Sequence, residues 1–204
     1  MGSLPSVALA LLLLGQAEAA SVRPAPPRAG LAWADADTLS RALQEVEASY
    51  RAGKPIARRR VVITERQLNS YLNLTLASQI PAGVTDLHVG LDGEGLRARA
   101  NVDLDRVPLQ RPADGAWSLY SLLTGVVPVA LAGRVDSRDG VGTLELTEAR
   151  LGGWSVPAAL VAQLVSSTTR NAANPGGFDI RAPFRLPYAV KQVVFEPGRA
   201  VLYF

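Results

Sequence analysis

The sequence predicts an α+β domain in which a curved antiparallel sheet of about six strands packs on two or three amphipathic helices. Three observations carry this. Apolar residues recur with helical spacing in 35–51, 64–79 and 157–168. They alternate with a period of two in most of 84–104, 126–151 and 186–204, with proline or glycine at the changes of period. The chain has 204 residues, 48% of them hydrophobic and 19% charged, which is enough for one core and too apolar for a disordered chain.

The N-terminus reads MGSLPSVALALLLLGQAEAA, with an apolar run from Val7 to Leu14 and then Ala17-Glu18-Ala19. This is the pattern of a secretory signal peptide cut after Ala19, although no Lys or Arg precedes the apolar run. The run is too short for a bilayer span, which takes about 20 residues. Residues 1–19 are therefore expected to be a signal peptide and residues 20–34 a Pro-rich linker. Residues 35–204 are expected to form a single domain of an exported protein, in the periplasm or elsewhere in the extracytoplasmic envelope.

Asp35 to Arg51 reads as a helix, with Leu39, Ala42, Leu43 and Val46 on one face and Gly53 and Pro55 ending it. A short strand follows at Arg60 to Ile63. Thr64-Glu65-Arg66-Gln67 has the spacing of a capping box. The helix it opens carries Leu68, Tyr71, Leu72, Thr75, Leu76 and Gln79 as a stripe, until Pro81 and Gly83 stop it. Asn73-Leu74-Thr75 matches a glycosylation sequon but falls inside this helix. Leu87, Val89 and Leu91, then Leu96, Ala98, Ala100, Val102 and Leu104, alternate with polar residues around the turn Asp92–Gly95, which predicts a long amphipathic hairpin. Beyond a loop at Gln110–Ala116 and an amphipathic turn at Trp117–Leu123, strands are expected at Val126–Val135 and Gly142–Leu151, joined by a turn at Asp136–Gly140. Pro157 suits the first turn of a further helix bearing Leu160, Val161, Leu164, Val165 and Thr168, which ends in Asn171–Gly177.

The chain closes on LPYAVKQVVFEPGRAVLYF, read as the last hairpin of the main sheet with its apolar face inward. Ile80 to Val89 and Leu186 to Phe195 share the pattern apolar-Pro-x-x-Val-x-polar-apolar-x-apolar, and each leads into a Gly-containing turn and a second strand. A duplicated helix-plus-hairpin unit and a chance match both account for it. The spacing is too long for a solenoid.

The polar residues form no recognisable catalytic set. Cysteine is absent, which excludes disulfides and thiolate chemistry, and His88 is the single histidine, on the wet side of a strand. Asp35/Asp37 open a helix, where negative charge suits the dipole. Asp103/Asp105 share a strand face but lack a third oxygen ligand, so no metal is expected. No nucleophile elbow or phosphate-binding glycine loop occurs. The net charge of +3 shows one basic run, Arg58-Arg59-Arg60. It reads first as the solvated start of a strand and second as a transient contact with an anionic membrane surface. Nucleic-acid binding would need clustered Lys and Arg with interleaved aromatics, and is not expected. Neither a cofactor nor an enzymatic activity is expected.

TERQLNSYLN, IPAGVTDLHVGLDGEGLRARANVDLD, the segment from VVPVALAGRV to SVPAALVAQLV, and the closing RLPYAVKQVVFEPGRAVLYF together resemble small exported bacterial proteins of the YpmS and LmeA kind. These are related to the tubular lipid-binding (TULIP) superfamily. The likeness covers Val61 to Phe204, with Leu151-Gly152-Gly153, Val156-Pro157 and the final Leu-Pro-x-x-Val hairpin as its most specific parts. It implies a curved sheet around a helix with an apolar groove for acyl chains. Leu68, Tyr71, Leu72 and Leu76, with Leu160, Val161, Leu164 and Val165, are the residues whose apolar phase would line or close such a groove. Small members of that group are often membrane-anchored, whereas this chain is expected to be cleaved and soluble.

The leading expectation is thus an exported, non-enzymatic protein that binds or shuttles lipid or another apolar ligand. The alternative is an envelope scaffold with a closed core. An outer-membrane barrel, suggested by the terminal phenylalanine, ranks third, because it needs at least eight spanning strands and the chain offers about six, interrupted by helices.

Overall fold

The computed structural model describes residues 30–57, 59–80, 82–106, 125–159, 161–162, 165, 176 and 179–204. The expected signal peptide, most of the expected linker, the expected loop at Gln110–Ala116 and turn at Trp117–Leu123, most of Asn171–Gly177, and Leu160, Leu164 and Thr168 lie outside them. The fold is α+β, with two antiparallel sheets packed on helices.

Helix α1 (Trp33–Arg51) starts two residues before Asp35 and buries Ala36, Leu39, Leu43 and Val46. After β1 (Arg60–Thr64), the predicted capping box forms. Gln67 N–H donates to Thr64 Oγ1 at 3.2 Å, and Thr64 N–H donates to Gln67 Oε1 at 3.0 Å. Helix α2 (Glu65–Ser70) does not run on to Gln79 as a regular α-helix. It widens into a π-helical stretch at Tyr71–Thr75, closed by a bond from Leu76 N–H to the Tyr71 carbonyl at 3.0 Å, and then tightens into a 3₁₀ turn at Ala77–Gln79. The wider turn sets Leu76 beneath Tyr71, and both are buried.

The larger sheet has the order β2 (Val84–Leu91), β3 (Gly95–Asp103), β4 (Val126–Arg138), β5 (Val141–Leu151), β6 (Trp154–Ser155), and β7 (Phe184–Arg185) also pairs with β5. Strand β4 runs three residues into the expected turn. The reversal is the two-residue Asp139-Gly140, both left-handed with φ of 51° and 80°, which suits the right-handed twist of the flanking strands. Register aligns the apolar residues in rows across the strands: Leu91, Leu96, Gly133 and Leu146, then Val89, Ala98, Leu131 and Ala149. Irregularities at Thr85/His88 and Ala132/Gly133 bend the sheet. Gly95 is required by close approach, because a Cβ there would collide with the Gly133 carbonyl and lie 2.9 Å from Arg134 Cα.

The closing hairpin, β8 (Gln192–Glu196) and β9 (Arg199–Tyr203), does not extend this sheet. It forms a second one in the order β1-β9-β8, with β9 in the centre. Register explains the pairing, since Val61, Leu202 and Val193 form one row and Ile63, Ala200 and Phe195 the next, all buried. The repeated proline motif shares one local feature, a left-handed residue before the valine (Gly83 at φ 94°, Ala189 at φ 60°), but leads into different sheets.

Residues from α1, α2, the π-stretch and both sheets form the main core, around Leu39, Leu72, Leu76 and Val89. A smaller cluster gathers Ala149, Val161, Ala162 and Ile180, and the half-buried Leu144 and Phe184 touch both. Helical backbone occurs at 158–159, 161–162 and 165, after Pro157 as expected.

Candidate apolar site

The residues singled out by helical phase fall into two groups. Leu68, Tyr71, Leu72 and Leu76 are all buried in the main core, where they close space between α2 and the sheets. Burial pushes the Tyr71 hydroxyl up to about 12, with help from the nearby Tyr188 and Glu47. Val161 lies in the smaller cluster with Val165 packed against it, and Leu160 and Leu164 are outside the described residues. The two groups do not share one cluster. An apolar crevice of about 20 Å³ lies beside Leu43, Val46, Leu186 and Tyr188, with room for about one water molecule.

One end of the larger sheet contrasts with this closed packing. Val84, Val102 and Val127 form one row there, and Ala100, Val129 and Leu151 the next. All but Val127 are only half-buried, and none of the six belongs to either core cluster. At the same end Trp154 is 75% exposed, and Val126, on the other face opposite Asp103, is 64% exposed. Trp154 stands opposite Leu151 because Gly152-Gly153, both left-handed, reverse the chain between them. Sequence reasoning identified Ala98 and Ala100 as small residues on an apolar face. It gave no weight to the row ends or to Trp154, whose signal was an aromatic residue directly after a Gly-Gly turn.

The opposite face of this sheet is wet and charged. Arg97 pairs with Asp92 at 3.0 Å, and Arg134 pairs with Glu94 and Arg150 with Glu148. His88 is exposed, 3.8 Å from Glu65 Oε1. Asp103 and Asp105 do not share a strand face. Asp103 ends β3 and Asp105 lies in the turn after it, where Asp105 N–H donates to Asp103 Oδ1 and Gly125 N–H to Asp105 Oδ2. Among the described residues no group of three or more His, Asp and Glu side chains is arranged to hold a metal ion. No described helix is long and apolar enough to cross a membrane.

The chain matches no protein-family model, no curated protein and no solved structure with which it was compared.

Proposed function

We propose that this is an exported, non-enzymatic envelope protein that binds lipid acyl chains. The observation that carries the reading is the half-buried apolar end of the larger sheet, with exposed Trp154 beside it. An acyl chain laid across Ala100, Val129 and Leu151 gains about 0.8 kcal/mol for each fully buried methylene, so a long chain with roughly ten buried methylenes is needed to offset the several kcal/mol lost on association. Trp154 suits a transient membrane contact, since indole favours the boundary between apolar and polar layers. On this reading Leu68, Tyr71, Leu72 and Leu76 form the closed floor of the domain, and Val161 and Val165 belong to the wall beside the sheet.

The test is purification from the envelope without detergent, followed by lipid mass spectrometry and uptake of a fluorescent fatty acid. Bound acyl species are expected, and Val129→Asp should lower uptake at least fivefold with little change in melting temperature. Absence of acyl species together with absence of uptake would reject the reading. The 20 Å³ crevice favours the second reading, a scaffold with a closed core, and that negative result would support it.

A further inference from the structure

A sheet edge presents unpaired N–H and C=O groups that invite another strand, and folded proteins usually blunt such edges. This protein caps several of its own. At β2 the carboxylate of Glu65 accepts from Leu91 N–H at 2.9 Å. Asn69 accepts from Val89 N–H and donates to the Val89 carbonyl, both at 2.7 Å, and Asn73 donates to the Leu87 carbonyl at 2.9 Å. At β8 the Ser137 hydroxyl accepts from Val193 N–H at 2.7 Å and donates to the Val193 carbonyl at 3.0 Å. The outer edge of β5 carries β6 and β7.

Strand β1 is treated differently. It ends its sheet, with β9 as its one strand partner among the described residues. Glu65 N–H donates to the Gly198 carbonyl and Phe204 N–H to the Arg59 carbonyl, so the odd-numbered residues of this stretch bond to β9. The backbone groups of Arg60, Val62 and Thr64 therefore face outward. Thr64 N–H is taken by Gln67 in the capping box, whereas Arg60 and Val62 open onto a groove of about 450 Å³ between β1 and α1. Its far wall is the α1 stripe Thr38, Arg41 and Glu45. A groove between a strand edge and a helix is the setting in which extended peptides add as an extra strand.

We propose that the β1–α1 groove binds an extended acidic peptide segment of another polypeptide, which adds as a fourth strand beside β1. Backbone bonding selects a peptide over an acyl chain, because a hydrocarbon cannot pair with Val62 N–H and C=O. Charge selects its sign. Arg41 and Arg60 line the groove against one carboxylate, Glu45, and Arg59 is exposed next to them. The chain's own Ser21–Gly30 suits the groove poorly, since it carries Arg23 and Arg28 and loses N–H donors at Pro24, Pro26 and Pro27. A second copy pairing through β1 would bring two Arg59-Arg60 pairs onto one interface.

The test uses the full chain with an eight-residue blocked peptide alternating valine and glutamate, and a lysine counterpart. The glutamate peptide should bind at least tenfold more tightly and slow hydrogen exchange at the Val62 amide. Val62→Pro should abolish binding, and its missing N–H is not one that β9 uses. Should that variant fail to fold, Arg41→Glu combined with Arg60→Glu, both exposed, should reverse the preference toward the lysine peptide. Equal affinity for the two peptides, or binding that leaves exchange at Val62 unchanged, overturns the proposal. Protection of Val62 that grows with protein concentration in the absence of peptide also overturns it, in favour of a second copy.

Discussion

Tyr71 shows how one buried residue reports on the whole core. Its folded-state pKa is raised, so the folded chain holds the phenolic proton more tightly than the unfolded chain does. The resulting stability is complete below the ordinary tyrosine value near 10 and is lost as pH rises toward 12. Burial also raises Tyr188, so an alkaline absorbance titration should show Tyr71 ionising late, together with unfolding, and Tyr71→Phe should remove the step near 12. A Tyr71 that titrates near the ordinary tyrosine value would contradict the packing described. Asp92 works in the opposite direction. The backbone N–H of Glu94, then that of Gly95 and the Arg97 guanidinium, hold its carboxyl below the usual range. Its contribution to the β2–β3 turn is present above the ordinary Asp value and fades as pH falls through the lowered one.

Among the elements, α2 and the π-helical stretch that continues it have two jobs on two faces. Leu68, Leu72 and Leu76 fill the core, and Glu65, Asn69 and Asn73, one turn apart, substitute for a strand beside β2. Asn69→Ala removes both bonds to Val89 and leaves two backbone groups without them. It should cost about 2–3 kcal/mol by chemical denaturation, more than Leu72→Val and comparable to the lower end of Leu72→Ala. Gly95→Ala should be at least as damaging, since the β3–β4 approach leaves no room for a methyl group. The sequence made the apolar stripe legible, because period alone assigns it to the inside. The polar stripe was present as Glu65, Asn69 and Asn73, yet without the position of β2 it looked like solvated surface, and Asn73 looked like a sequon. The same gap affects the site. Helical phase correctly turns Leu68 and Leu72 inward, but a phase does not distinguish a filled core from a lined groove. What leaves the Ala100–Val129–Leu151 row outside both cores is how far each element reaches along the sheet, and no local pattern encodes that.

For the molecule as a whole, the decisive fact is that β9 is a central strand. Local alternation made the closing hairpin legible, but its partner β1 lies far away in sequence and at the far end of the domain's chain order, so the second sheet was invisible to any short window. Deleting Val201–Phe204 removes two buried side chains and much of the surface against which β1 pairs. The shortened protein is expected to lose cooperative unfolding, and a melting curve matching the full chain would contradict this architecture.

The pairing of Arg60 with Tyr203 also sets a schedule. Contacts between such distant residues form late, after the entropic cost of closing a very long loop. A chain delivered N-terminus first would present β1 early and leave it waiting until β9 emerged. During that interval the three-stranded sheet could not lock, and the arrival of β9 would be the step that lets β1 find its place.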